Sequence, residues 1–352
     1  MPISRRQSLS FIASLPLVAM GISSCDNPGS PAKPTNTMSL KVGQISTSVA
    51  YFPFYVADQQ GFFKKEGLTI GPRPLLGTGA KVAAAVESGS IDIGGGVITD
   101  AFDMAIVDST ARVIGSLVNG YYVDVIASNS FLQQKRLTMS SSLADKVHAL
   151  QDRKIGITGP GSGTEALLIY LFRQQGLDAK RDATLVNLGS NNLSAIAAMK
   201  AGHVDALSFF SPVGQQAEAE GIGTILISPI RGDVPALAND VHGAFYTKQS
   251  VIDNKKQAVQ AFIRAIAQAE SYIHEQQDKA LVLMQKYLKL NQATTKAVFT
   301  AIGPVFAQSP QIDQRAYEVA AQFHVQAGLI SAAISYDNIV AASTIKSSLA
   351  GL

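Results

Sequence analysis

From Leu40 onward, short apolar runs alternate with polar, glycine-rich loops and with longer stretches whose apolar residues recur at helical spacing. Leu40 to Ile45 reads as a strand. Tyr51 to Ile70 follows as loop, helix and strand: Pro53 suits a first helical turn, Gly61 suits a helix end, and Leu68 to Ile70 resumes extended backbone after Gly67. The same alternation repeats through a helix over 81–87, a strand over 91–94, a helix over about 99–107 and a strand over 111–117. Val123 to Ser128 predicts a strand crossing into a second set, with strands over 153–158, 184–188 and 204–209 and helices over 165–174 and 193–200. Val241 to Lys248 predicts the return strand. The remainder is helical, over 256–274, 279–288, 294–302 and 314–327, and Val259, Phe262, Ile263, Ile266 and Ala269 share one face of the first of these.

Strand and helix alternating this regularly predict an α/β chain with parallel, doubly wound sheets. Ligands of such sheets sit at the loops beyond the carboxyl ends of the strands. In the first set those loops are 46–52, 77–80, 95–100 and 119–122, which makes Ser48, Tyr51, Phe52, Thr78, Gly79, Thr99, Asn119 and Tyr121 candidates for ligand contact. Asp100 also lies at a loop mouth, where it could cap the following helix or meet a ligand.

In the second set, GPGSGTEALL from Gly159 to Leu168 is the sharpest local signal. A glycine-rich turn feeding a helix leaves backbone N–H groups unpaired at the positive end of the helix dipole, an arrangement suited to an anionic group. Gly161, Ser162, Gly163 and Thr164 are the candidates there. The Gly-Lys-Ser/Thr ending of a P-loop is missing. Asn191, in the cluster before the helix at 193, and Phe209 and Ser211 at the end of the last strand complete the set. For each adjacent aromatic pair one member is expected in the core, because neighbours in a strand point opposite ways.

Composition narrows the class. The chain has 352 residues, 47% hydrophobic and 16% charged, with a net charge of +3, enough for two cores and without the basic density that nucleic-acid binding needs. Its five histidines are scattered without metal-ligand spacing, and neither a metal nor a cofactor is expected. The first residues carry Arg5 and Arg6, an apolar stretch from Leu9 to Ile22, and Ile22-Ser23-Ser24-Cys25, which read as an export signal over 1–24. Cys25 is the only cysteine, so no disulfide forms within the chain. The run 27–37, NPGSPAKPTNT, cannot build a core and reads as part of a flexible tether over 25–38.

Pro53-Phe54-Tyr55-Val56-Ala57, then Gly61-Phe62-Phe63, then Glu66-Gly67-Leu68 before a strand resembles the opening of the periplasmic substrate-binding proteins of nitrate, sulfonate, taurine and thiamine-precursor ABC importers. The resemblance covers about residues 40–275, with Gly159 to Thr164 and Phe209-Phe210-Ser211-Pro212 at the family's cleft-lining positions. It implies a type II periplasmic-binding-protein fold with the ligand cleft between two lobes: residues 39–123 and 243–352 in the first, 124–242 in the second. The implied partners are a small-molecule ligand, a small organic anion or a pyrimidine-like heterocycle, and a membrane permease with its ATPase. A monomer is expected. Ile22 to Cys25 resembles a bacterial lipobox, which implies acylation of Cys25 and membrane anchoring, and Ser4 to Leu9 resembles a twin-arginine signal. Yeast pyrimidine synthases share the fold, but they rely on a cysteine-rich motif that this chain lacks.

Overall fold

The computed structural model describes residues 38–352. The export signal, Cys25 and the tether up to residue 37 lie outside the described residues. Eleven strands follow in order: β1 (Met38–Leu40), β2 (Val42–Gln44), β3 (Leu68–Ile70), β4 (Ile93–Val97), β5 (Ala111–Val118), β6 (Val123–Ser128), β7 (Lys154–Ile157), β8 (Thr184–Asn187), β9 (Ala206–Phe210), β10 (Gly223–Ile227) and β11 (Gly243–Lys248). They form one sheet in the order β2-β4-β11-β5, a second in the order β10-β6-β9-β7-β8, and a β1-β3 pair.

The sheets are mixed rather than parallel throughout. β2 runs parallel to β4, and β7 parallel to β8 and β9, whereas β11 is antiparallel to β4 and β5, and β6 antiparallel to β9 and β10. The two reversed strands are the ones that carry the chain between the sheets. A strand native to its sheet ends at the cleft, so a strand arriving from the other lobe begins there and must run the opposite way. The residues around the cleft fit this rule: Val97 ends β4 and Phe210 ends β9, while Val123 opens β6 and His242 immediately precedes β11.

The glycines expected to form a loop after the strand at 91–94 instead lie within β4, which spans Ile93–Val97. A Cβ on Gly94 would sit 2.7 Å from the Tyr246 ring, and one on Gly96 would sit 2.4 Å from the Asp100 carboxylate. Strand interiors tolerate glycine where another group approaches this closely.

Helix signals translate directly. Gly61 is left-handed at φ 72° between the helix Phe52–Gln59 and the short turn Phe62–Lys65, the backbone that glycine adopts at no steric cost. Phe54, Phe63, Phe245 and Phe262 then close an aromatic cluster, with centroid separations of 5.1 Å for Phe54 to Phe63 and 4.9 Å for Phe245 to Phe262. Phe262 comes from the long helix Lys256–Glu275, whose predicted apolar face is buried throughout.

The carboxyl-terminal helices cover more than the first lobe. In the helix Gln314–Gln326, Ala316, Tyr317, Ala320 and Ala321 join the first core while Phe323 joins the second. That helix therefore packs on both lobes. The reason is visible only in three dimensions: its first turns face the first sheet, and its last turn reaches Tyr121 and Tyr170. Replacing Phe262, 1% exposed, with alanine should cost about 3–5 kcal/mol of unfolding free energy, read from the midpoint of urea denaturation at unchanged slope. A loss under about 1 kcal/mol would show that the aromatic cluster is not the centre of the first core.

Candidate functional site

The loops at the cleft-facing strand ends enclose one continuous cavity. From the first lobe its wall includes Ser46, Ser48, Tyr51, Thr78, Gly79, Asp100, Asp103 and Tyr122. From the second it includes Thr158 to Thr164, Ser190 and Phe210, with His242 at the crossing. The lobes also touch directly here, where the Ser190 hydroxyl donates to the Gly77 carbonyl at 2.8 Å.

Of the residues expected from sequence, Ser48, Tyr51, Thr78, Gly79, Gly161, Ser162, Gly163 and Thr164 lie on the cavity wall. The other seven do not. Phe52 is buried against Tyr55, Tyr287 and Phe306 in the first core. Thr99 hydrogen-bonds the imidazole of His324 at 2.7 Å, beneath the site. Asn119 turns outward, its N–H donating to the Val305 carbonyl at 2.7 Å. Tyr121 stands one layer back, its hydroxyl donating to the Gly163 carbonyl and its ring 4.0 Å from His242. Asn191 caps the helix Asn192–Lys200 through the N–H groups of Leu193 and Ser194, and its neighbour Ser190 faces the cavity instead. Phe209 packs in the second lobe's core while Phe210 reaches the wall, and Ser211 is buried off it. In the Tyr121–Tyr122 and Phe209–Phe210 pairs the second residue takes the cavity side. Alternation foretold that one of each pair would face inward to the core, but the choice depended on strand register.

The turn before the helix Gly163–Gln174 is occupied by its own side chains. Glu165 accepts from the Gly161 N–H at 2.7 Å, and the Ser162 hydroxyl donates to the Gly159 carbonyl. The Thr164 hydroxyl oxygen accepts from the Thr158 N–H at 3.0 Å and lies 2.7 Å from the Ser162 hydroxyl. These hydroxyls brace the turn. Among the described residues, the N–H groups of Gly163 and Thr164 are the first-turn donors left without a partner.

Electrostatics in the first lobe run the other way. Thr78 caps the helix Gly79–Glu87, and a Cβ on Gly79 would fall 1.7 Å from an Asp100 carboxylate oxygen, so the carboxylate fills the space this glycine leaves. Asp100 accepts from the Val97 N–H at 3.0 Å, capping its own helix, Ile98–Val107, while lining the cavity. Burial pushes its carboxyl up to about 7, against the opposing Val97 bond, and the neighbouring Asp103 adds to the rise. Burial likewise pushes Asp103 up to about 6. His242 is held well below its ordinary value, first by burial and then by His324, and is therefore neutral. No lysine or arginine lines the cavity among the described residues. Asp92, close to Asp100 in sequence, is spent elsewhere, in an ion pair with Lys255 at 2.7 Å.

This arrangement, two sheets joined by reversed crossing strands with a cavity where their strand ends face, is the two-lobed periplasmic-binding-protein fold. The chain belongs to the NMT1-like family, whose sequence model matches residues 33–300. It is 25% identical over 247 residues to YtlA of Bacillus subtilis (strain 168), a protein that carries a binding protein's name, across 68% of this chain and 67% of that one. A solved structure from Bordetella bronchiseptica RB50 superposes with a TM-score of 0.75 at 22% identity, covering 88% of this chain and 96% of the other. The alkanesulfonate-binding protein SsuA from Xanthomonas axonopodis pv. citri, bound to MOPS, superposes with a TM-score of 0.67 at 17% identity over 86% and 98% of the two chains. Among the described residues no helix is long and apolar enough to cross a membrane, and no cluster of metal-ligating side chains occurs.

A buried carboxyl whose folded pKa exceeds its ordinary value near 3.8 binds more protons folded than unfolded. Its contribution is complete below about pH 4 and is lost as pH rises to about 7. Tyr51, Tyr122 and Tyr246, all raised by burial, stay protonated across that range, and the neighbouring His242 and His324, both lowered by burial, are common to the parent and the variant below. Relative to an Asp100→Asn, Asp103→Asn variant, the parent should therefore lose thermal stability from about pH 4 to about pH 7. Parallel melting curves across that range would refute the assignment.

Proposed function

We infer that this protein is the solute-binding component of an ABC importer, which captures a small polar organic molecule between its lobes and passes it to a membrane permease and its ATPase. The observation that carries the reading is the single cavity at the cleft-facing strand ends of both sheets, lined from both sides by polar groups that the protein leaves unpartnered. Membership of the NMT1-like family and the shared fold with a sulfonate-binding protein support it. An enzyme of the same fold is the less supported alternative: the chain's single cysteine is Cys25, so the cysteine-rich motif on which the yeast pyrimidine synthases rely is missing.

Two anchors define the ligand. An acceptor group, such as a carboxylate, a sulfonate or a ring nitrogen, faces the Gly163 and Thr164 N–H groups, and a flat or apolar body packs among Tyr51, Tyr122 and Phe210. A fully anionic ligand is disfavoured by Asp100 and Asp103 in the opposite wall, which points to the heterocycle reading over the simple organic anion. Export, acylation at Cys25 and a monomeric state complete the proposal, the first two resting on the lipobox-like Ile22 to Cys25. Two or more acyl chains hold such a protein stably where one does not.

Native mass spectrometry of protein recovered from its own host should show a small additional mass that leaves on unfolding. Small-angle scattering before and after its removal should show the radius of gyration increase, because a ligand touching both lobes favours the closed form. A protein that carries no solute and whose scattering never changes would not be a solute-binding component. Cys25→Ser should move the protein from the membrane fraction to the soluble one, and unchanged partitioning would remove lipid anchoring from the proposal.

A further inference from the structure

The first-lobe end of the cavity carries two carboxylates and, among the described residues, no lysine or arginine; its backbone donors are the N–H groups of Gly79 and Ala80 at a helix start. Asp100 is 6% exposed, and its Oδ2 is engaged by the Val97 N–H while its Oδ1 takes no hydrogen bond among the described residues. Asp103, three residues on and so on the same helix face, also lines the cavity and is likewise unpartnered. A second, independent feature stands beside them. Tyr51 is 2% exposed and lines the same wall, and its hydroxyl has no hydrogen-bond partner among the described residues. The Tyr246 hydroxyl, fully buried behind Asp100, is also unpartnered. Acceptors at the wall of a largely buried site are costly unless a donor reaches them, and no side chain among the described residues does so. Gly79 and Gly96 keep the carboxylate in place, since a Cβ at either would strike it.

We propose that the ligand presents a cationic donor, a protonated amine or an amidine, to Asp100 and Asp103, with the Tyr51 hydroxyl completing the contact. The chemistry follows from the acceptor set. Two carboxylates three residues apart can share a flat donor fork or straddle an ammonium, and charge-assisted bonds in a desolvated site are the strong ones. With the acceptor group of the ligand held at Gly163 and Thr164, the molecule carries donors at one end and an acceptor at the other. This inference rests on the solute-binding reading and specifies what the site selects.

The test compares donor-bearing probes with acceptor-bearing probes of the same size: benzamidine, benzylamine and 2-aminopyridine against benzoate and benzenesulfonate, each followed by thermal shift and then by calorimetry. The donor-bearing set should stabilise the parent, and Asp100→Asn with Asp103→Asn should weaken that binding by about tenfold or more while the acceptor-bearing set gains. Asparagine keeps an acceptor for the Val97 N–H, so the helix cap survives. If the double variant does not fold, Asp103→Asn alone, at a half-buried side chain with no hydrogen bond to lose, carries the comparison. Stabilisation by the acceptor-bearing set alone, an unchanged donor response in the variants, or silence from the donor-bearing set overturns the inference. In the first two cases the cavity still binds a small molecule and the solute-binding reading stands; in the third, that reading is judged by its own mass measurement.

Discussion

A buried carboxylate sets the geometry of the first lobe's rim. Asp100 sits where Gly79 and Gly96 have no side chains, with closest approaches of 1.7 Å and 2.4 Å for a Cβ added at either, and its one internal bond is to the Val97 N–H. A charge cannot be placed in such a space without cost, and its carboxyl titrates near neutrality in consequence. Much of the local sequence is explained by making room for it. Gly94 and Gly96 of β4 admit Asp100 and the Tyr246 ring, and the helix beginning at Gly79 starts under the carboxylate. The rim of this lobe is therefore specified by what glycine leaves out.

The opposite wall satisfies itself internally. Glu165, 3% exposed and 3.4 Å from the more exposed Lys180, supplies the negative charge that the helix start attracts, and Ser162, Thr158 and Thr164 knit the turn. Tyr121 holds the Gly163 carbonyl from behind. Among the described residues the first turn leaves two backbone N–H groups for a ligand, a weaker attraction for anions than an unoccupied helix terminus would offer. Pairing that wall with an acidic one makes the cavity asymmetric, and asymmetry of this kind orients a ligand as well as binding it.

Movement between the lobes is constrained by more than the two crossing strands. The helix Gln314–Gln326 contributes to both cores, His324 meets Thr99 from the first lobe, and the Arg173 guanidinium of the second donates to the Gln326 carbonyl at 2.9 Å. Across the cavity mouth the lobes meet again where Ser190 donates to the Gly77 carbonyl.

The alternation of apolar runs and glycine-bounded loops determined the strand and helix order, because burial periodicity is a local property. The helix 256–274, the paired lobes and the loops that ring the site were legible on that basis, as was the family from Pro53 to Leu68. The reversal of β6 and β11 was not, since strand direction follows from where the chain re-enters a sheet. Nor was the choice of Tyr122 over Tyr121 and Phe210 over Phe209, which register alone decides. The largest difference concerns charge. A glycine-rich turn before a helix predicts an anion site when read by itself, but Glu165 and Asp100 reach their positions through tertiary packing, and packing decides which backbone donors stay free and which carboxylates face the ligand.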